Sequence, residues 1–521
     1  MTPSKPRRPG CAAAHDHPLL IAGARVLHPD GELDRPAVAD VLVADGRIAA
    51  IGPNLTAPPG TERMDAQGCL LTPGFVNAHS HSHDTLLRGL FEGLPLEAWG
   101  LLAFPSGWPR RSPAEVGLRA TLHAAECLRG GITTVQDMVT IVGPDEEQAA
   151  AILDAYAASG IRAVLAVQFA DRAAADGAPF LDGVPGLPPA SDPAPMQRFV
   201  AGLLDRTGPR LTWGLGPSAP QRCSDALLGW VAAQSRERGL PVFTHVYETR
   251  SQAVLARQRG AGGGGSFIET LARLGLLTPR LVAAHGVWIT EAEIARLAAA
   301  GAHLACNPVA NLKLLNGVAP VRSYADAGVN VALGCDNSSA GDTQSMFAAM
   351  KAFALAWALQ SSAGESGAAA AAFRAATSGG AAALGLAGEV GTLRPGARAD
   401  LVLFDLSDPA WWPLNSAVRQ LVYAESGRSV QTVLAGGNVV VRDGRLTTLD
   451  AGVLAGQAEA ARAAMQDELA SLAQRNAALR DAMLLMHGRA AAASLEMDRM
   501  RLAQPGDGTL IAGHAPAPVR Q

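Results

Sequence analysis

This chain has no stretch approaching the roughly 20 consecutive apolar residues needed to span a bilayer. Its opening segment, MTPSKPRRPGCAAAHDHP, carries some positive charge but no apolar run long enough for a secretory signal. Neither a membrane partner nor export is expected. A basic excess is missing too: 43 Lys and Arg stand against 47 Asp and Glu, a formal charge of -4. The early basic cluster is only Lys5, Arg7 and Arg8, so a nucleic-acid partner held by a basic field is not expected. The six cysteines (Cys11, Cys69, Cys127, Cys223, Cys306, Cys335) lack C-x-x-C or zinc-knuckle spacing. They read as reduced, mostly buried thiols, which points to a cytoplasmic location. What the chain does have is apolar mass: 48% of 521 residues are hydrophobic, ample for a large core or several domains.

Short strands and turns dominate from Leu19 to Leu71, with apolar runs Leu20–Val26, Val41–Val43 and Ile48–Ile51 separated by turn signals at Pro29-Asp30-Gly31 and Asp45-Gly46-Arg47. The same style returns over 388–447, at Asp400–Asp405, Val430–Leu434 and Val439–Val441. Residues 17–72 and 388–447 are therefore expected to form one composite β-sandwich domain. Between them, over 73–387, helical spacing alternates with short apolar strands. Helices are expected at Pro113–Arg129, Glu146–Ala158 and Ser224–Arg238. Eight strand candidates are Phe75–His81, Thr133–Val135, Ala163–Val167, Leu211–Gly214, Val242–His245, Leu281–His285, His303–Cys306 and Val329–Gly334. The economical reading is an α/β chain with a (β/α)8 TIM barrel. Residues 448–521 form a helical extension and tail: Leu454–Arg489 reads as one or two amphipathic helices for packing or homo-oligomer formation, without a heptad, and Gln504–Gln521 is Gly/Pro-rich.

The most informative stretch is Leu71-Thr-Pro-Gly-Phe-Val-Asn-Ala-His-Ser-His81, an apolar run that ends in two histidines one residue apart. In a strand, side chains i and i+2 share a side, so both imidazoles can converge on one point. His79 and His81 are thus half of a metal site. His83 continues the alternation and is open to three roles, as ligand, substrate contact or supporting group, beside that of an ordinary loop histidine. In a barrel, chemistry belongs at the C-terminal strand ends. Polar residues follow apolar runs at four of them: the opening pair, His245 after Val242-Phe-Thr, His285 after Leu281-Val-Ala-Ala, and Asp336 after Val331-Ala-Leu-Gly-Cys.

Over about 17–447 the chain resembles the amidohydrolase superfamily, in the branch that includes guanine deaminase, adenosylhomocysteine deaminase and atrazine chlorohydrolase. The resemblance is carried in order by Pro73–His81, Arg88-Gly89 with Leu94-Pro-Leu-Glu-Ala-Trp99, and Gly130-Gly-Ile-Thr-Thr134. It continues through His245-Val-Tyr-Glu248, Ala284-His285-Gly286, Asn307–Leu314, Gly334-Cys-Asp336 and Gly391–Leu401. It implies that His79, His81, His245 and Asp336 ligate one divalent metal per chain and that His285 touches the substrate or the activated water. Three His and one Asp suit Zn²⁺, which is favoured, or Fe²⁺. Binuclear members often bridge two metals with a carboxylated lysine on the fourth strand. Here lysine occurs only at positions 5, 313 and 351, which favours a mononuclear site.

The activity so implied is hydrolytic deamination of an amino-substituted nitrogen heterocycle of purine, pyrimidine, pterin or s-triazine type, with release of ammonia. A divalent metal lowers the pKa of water toward ~7. Asp336 accepts the water's proton, and Glu248, three residues past His245, carries protons to the ring nitrogen and leaving amine. His285 steadies the tetrahedral centre. Asn307 and Asn311 suit either pairing with the heterocycle or turn formation around Pro308. Trp99, Trp108, Gln168 and His83 are further pocket candidates, and Arg88 is open to a structural ion pair. Two alternatives keep the fold: the same hydrolytic site acting on a chloride, alkylamine or cyclic amide bond, or a non-catalytic assembly protein. The Gly-rich Arg259–Ser266 lacks a P-loop ending and reads as a flexible loop. Asn54-Leu55-Thr56 fits a glycosylation sequon without other signs of secretion.

Overall fold

The structure, a computed structural model, describes residues 17–104, 107–259 and 265–500. Lys5, Arg7, Arg8, Cys11, the centre of the Gly-rich segment and the tail Gln504–Gln521 lie outside the described residues. The fold is α/β. Among the described residues no helix is long and apolar enough to cross a membrane.

Both chain ends contribute to one nine-stranded sheet. Its join is the antiparallel pairing of Cys69–Pro73 with Leu401–Asp405, in which Leu71 faces Leu403 and Thr72 faces Val402. Leu19, Ile21, Val41, Ile48, Leu71, Leu401 and Leu434 bury together beside it. The strand Phe75–His81 falls where the sequence places it. The run Leu71–His81 is two strands: Gly74 separates Cys69–Pro73, in this sheet, from Phe75–His81, in the central one. A Cβ at Gly74 would lie 2.1 Å from Thr133 Oγ1, so only glycine lets the chain pass between the two sheets here. The four-residue strand Glu62–Asp65, too polar to be read from periodicity, pairs in parallel with Leu19–Val26.

The central strands run parallel in two arcs. One joins Phe75–His81, Ile132–Val139, Arg162–Phe169 and Leu211–Trp213; the other joins Val242–Val246, Leu281–His285, His303–Cys306 and Asn330–Leu333. A parallel bridge between Leu215 and Val242 links the arcs on one side. On the other, Asp336–Asn337 pairs with Ser80 and His81. Ile132–Val139 is buried along its whole length, as expected of a strand covered on both faces. Asp336 is thus not the last residue of a single eighth strand; it opens a separate two-residue strand after a break at Gly334-Cys335.

The helices begin where the sequence provides caps. Ser112 accepts from Glu115 N ahead of Pro113–Arg129, Ser224 accepts from Leu227 N ahead of Asp225–Arg238, and Thr290 forms a capping box with Glu293. The C-terminal extension forms Ala451–Arg475 and Ala477–Ala492. It packs on its own chain: Met465 and Leu472 join Leu87, Phe91, Trp99 and Trp108, while Met483, Met486 and Ala490 join Ala98, Leu181 and Val254. Asn476 Nδ2 donates to Leu101 O, and Arg475 to Gly107 O, pinning the loop that follows the first central strand.

Candidate metal and acid-base centre

Imidazoles from two strands meet where the arcs come together. His81 Nε2 and His245 Nε2 lie 3.3 Å apart. Asp336 Oδ1 is 3.6 Å from His81 Nε2 and 3.7 Å from His79 Nε2. Ligand atoms of His79, His81 and His245 all fall within 4.8 Å of one another, as do those of His79, His285 and Asp336. Every one of these side chains is buried except that of His245, which is partly so.

The hydrogen bonds fix what the imidazoles present to one another. His81 Nδ1 donates to Met138 O at 2.9 Å, and His245 Nδ1 donates to Ser218 O at 2.5 Å. A carbonyl only accepts, so both Nδ1 atoms carry the hydrogen and both Nε2 atoms are lone pairs when the rings are neutral. Neutral they are. Burial, reinforced by the neighbouring histidines, holds His79 and His81 well below the ordinary imidazole range and His245 down at about 3. Two facing lone pairs at 3.3 Å repel unless a cation lies between them, and His79 Nε2 is buried without a hydrogen-bond partner. The donor set therefore fits a divalent metal, and the Nδ1 bonds to carbonyls orient the ligands as such sites require.

Backbone strain marks the same place. His285 (φ 73°), Asp336 (φ 61°) and Tyr247 (φ 50°) occupy the left-handed region although none is glycine. Gly334 lets the pieces close up. A Cβ there would lie 2.2 Å from Asn307 Oδ1 and 2.8 Å from both the Cβ and the carbonyl oxygen of His79. Asn77 ties the arrangement across strands, accepting from Cys335 N, while its Nδ2 donates to Gln344 Oε1 and Gln344 in turn donates to Asp336 O.

Beside the imidazoles lies an acid-base group. Glu248 Oε2 is 3.6 Å from His285 Nε2, which is 3.9 Å from Asp336 Oδ2. Burial pushes the Glu248 carboxyl up to about 7, against the opposing pull of His285 and the Asn316 amide. Burial also raises Asp336. Asn316 Nδ2 donates to Glu248 Oε1 at 3.0 Å and Gln252 Oε1 accepts from Glu248 N, leaving Oε2 toward His285. His285 Nδ1 donates to Asn311 Oδ1 at 2.9 Å. Asn307 Nδ2 lies 3.4 Å from both ring nitrogens of His285. Asn307 Oδ1 and Asn311 Nδ2 remain buried and unpaired, one acceptor and one donor.

The other pocket candidates are more dispersed. His83 is buried with its ring 5.5 Å from that of His81 and stacked on Phe104. Trp99 is fully buried and donates to Ser339 Oγ, so its indole is already satisfied. Gln168 accepts from Thr140 and donates to Ser218 Oγ. Trp108 Nε1 donates to Leu102 O, and Arg88 pairs with Glu126. Asp84 accepts from Ser338 N, Ser339 N and Ser339 Oγ and so clamps the segment after Asp336. Sequence reading missed Asn316, Gln252 and Gln344, and also the Met138 and Ser218 carbonyls. The amides stand outside any strand-end motif, and a carbonyl has no signature in the sequence.

Residues 70–440 match the model of the amidohydrolase family. A 5-methylthioadenosine/S-adenosylhomocysteine deaminase of Pyrococcus furiosus is 33% identical over 418 residues, 79% of this chain and 93% of that protein. A 5'-deoxyadenosine deaminase of Methanosarcina mazei is 30% identical, over 83% of this chain and 94% of the relative. Among solved structures, an adenosine deaminase of Xanthomonas campestris with bound zinc superposes with a TM-score of 0.74 at 29% identity, covering 86% of this chain and 98% of that one. An atrazine chlorohydrolase of Arthrobacter aurescens in complex with zinc shares the fold at 23% identity, with a TM-score of 0.75 over 85% of this chain and all of that one. With its strand-end histidines, its buried carboxylates and a family match across most of its length, the chain belongs to the amidohydrolase family.

Proposed function

We propose that this hydrolase, which acts on carbon–nitrogen bonds other than peptide bonds, is a mononuclear metal-dependent deaminase of an amino-substituted nitrogen heterocycle on a (β/α)8 barrel. The observation that carries the reading is the buried Glu248 with its carboxyl near neutrality, 3.6 Å from His285 and beside three converging neutral imidazoles. His79, His81, His245 and Asp336 would hold the metal. A divalent ion bound there supplies Lewis acidity that makes water acidic near neutral pH.

The remaining chemistry belongs to the chain. Water adds to the ring carbon bearing the amino group, and the carbon–nitrogen bond then breaks to give a carbonyl and ammonia. Asp336 takes a proton from the attacking water. Glu248 enters protonated and delivers its proton to the ring nitrogen through Oε2. It then takes the hydroxyl proton of the adduct and passes it to the departing amine, and the proton held by Asp336 returns to Glu248 once ammonia has left. His285, whose Nδ1 donates to Asn311, keeps Nε2 as an acceptor for the hydroxyl that the tetrahedral carbon acquires from water. Asn307 Oδ1 and Asn311 Nδ2 offer the ring an acceptor and a donor.

The absence of a bridging lysine favours one metal. Lys313 is paired with Asp342 and donates to Ser339 O, so it is occupied elsewhere. The names of the relatives make 6-aminopurine nucleosides the first compounds to test, with pterins, pyrimidines and s-triazines after them. The experiment is metal analysis of the purified protein with an ammonia-release screen over these rings. About one metal per chain, and turnover abolished in Asp336→Asn, is the expected result. Two metals per chain would sink the mononuclear reading, and full activity in Glu248→Gln would remove that residue from its role.

A further inference from the structure

We propose that the cavity behind His83 is a specificity subsite for a short, uncharged apolar arm on the substrate; this rests on the deaminase reading above. The cavity opens between the ends of the first two central strands, where Ser82 and His83 follow one and Val139 and Thr140 end or follow the other. It adjoins the metal ligands through both strands. The His83 ring lies 5.5 Å from that of His81, and Met138, next to Val139, supplies the carbonyl that orients His81.

The walls define the arm. Ala103, Trp108, Val116, Val139, Val142 and Ile152 make them mainly apolar. The three arginines at the cavity, which by count alone suggest an anionic ligand, are already neutralised. Arg110 pairs with Asp145, Arg111 with Glu115 and Glu468, and Arg119 with Glu115. A carboxylate arm would have to compete with these partners, whereas an apolar arm leaves every pair intact. The cavity measures about 40 Å³, room for roughly three waters and hence for a chain of two or three carbons.

One polar group of a residue lining the cavity is left unsatisfied. Asn337 Nδ2 donates toward His83 Nε2 at 3.4 Å, so Nε2 accepts and Nδ1 bears the hydrogen. That Nδ1 is buried and has no partner. It is a donor for which the surrounding protein supplies no acceptor. The outer wall is held by the C-terminal extension: Glu468 pairs with Arg111, which also stacks on Trp108 at 5.0 Å, and Met465 and Leu472 pack with Trp108.

Two measurements on the metal-loaded full chain test this. In the first, crystals are pressurised with xenon, which enters dry apolar cavities. Xenon beside Trp108 in the wild type and its loss in Ala103→Leu are expected; ordered water and no xenon would overturn the subsite. In the second, kcat/KM is measured for the ring most active in the ammonia screen, carrying hydrogen, propyl or carboxyethyl. The propyl ring should be preferred over the unsubstituted ring by about tenfold, as expected of two buried methylenes. Val142→Trp, at the half-exposed rim, should erase that preference. No propyl preference, or a preference for the carboxyethyl arm, overturns the proposal. Xenon binding without deamination of any ring leaves the apolar subsite standing and defeats the deaminase reading instead.

Discussion

Replacing Asn316 with leucine should move the pH profile of the enzyme without dismantling its site. Asn316 is buried, and its Nδ2 donates at 3.0 Å to Oε1 of a carboxyl that burial already pushes up to about 7. A hydrogen bond to a charged group contributes about 1.5–3 kcal/mol, and each pKa unit corresponds to about 1.4 kcal/mol. The bond favours the ionised form of Glu248, so its loss raises that carboxyl by about 1–2 units. The sign of the kinetic effect follows from the role. Glu248 must enter the reaction protonated, so activity falls as pH rises through its pKa, and the variant should hold activity to higher pH. The alkaline limb of kcat/KM for ammonia release should therefore move upward by about 1–2 pH units. Leucine preserves volume, and the Asn316 carbonyl that accepts from Trp288 Nε1 belongs to the backbone and survives. Profiles are to be measured on the metal-loaded protein, with thermal unfolding run alongside to confirm an intact fold. A limb that stays within 0.3 pH units of the wild type would refute the reasoning, because the Asn316 bond would then have no hold on the group that limits the rate.

Three further outcomes follow from other parts of the molecule. Gly334→Ala should destabilise the protein by about 1–3 kcal/mol in urea titration and lower its metal content, because the new Cβ meets Asn307 Oδ1 and His79; wild-type stability and metal content would contradict the close approach. Burial raises Asp137 to about 6 from 3.8, so the folded state binds the extra proton between those values and stability falls as pH rises through that window. Asp137→Asn, whose amide can still serve Ser82 N and Tyr156 Oη, should remove up to about 3 kcal/mol of that slope between pH 3.8 and 6; an unchanged slope would contradict the assignment. Leu472→Ala, at a fully buried position of the extension, should cost about 2–5 kcal/mol, whereas a loss below 1 kcal/mol would mean the helix is not part of the core.

Much of the fold is visible in local pattern. Leu281–His285 and His303–Cys306 begin and end where apolar runs do, and Pro113–Arg129 is bracketed by a serine cap, a helix-starting proline and a following glycine. The gaps fall where local pattern is silent. The start of Phe75–His81 is legible at Pro73-Gly74, but that Cys69–Pro73 and Phe75–His81 join different sheets rests on the contact a side chain at Gly74 would make with Thr133. Glu62–Asp65 becomes a strand through its neighbour, against its own polarity.

By itself the sequence determined the donor inventory: four strand-end histidines, an aspartate after the eighth strand and a glutamate three residues past His245. These are readable because strand periodicity aims alternate side chains to one side and apolar runs end where a cavity begins. Only the tertiary structure decided their chemical state. Facing Nε2 lone pairs depend on the carbonyls of Met138 and Ser218, and the near-neutral carboxyl of Glu248 depends on burial and on Asn316, 68 residues away. Protonation and tautomer are set by solvent exclusion and by partners brought from distant segments, and no local pattern in the chain records either.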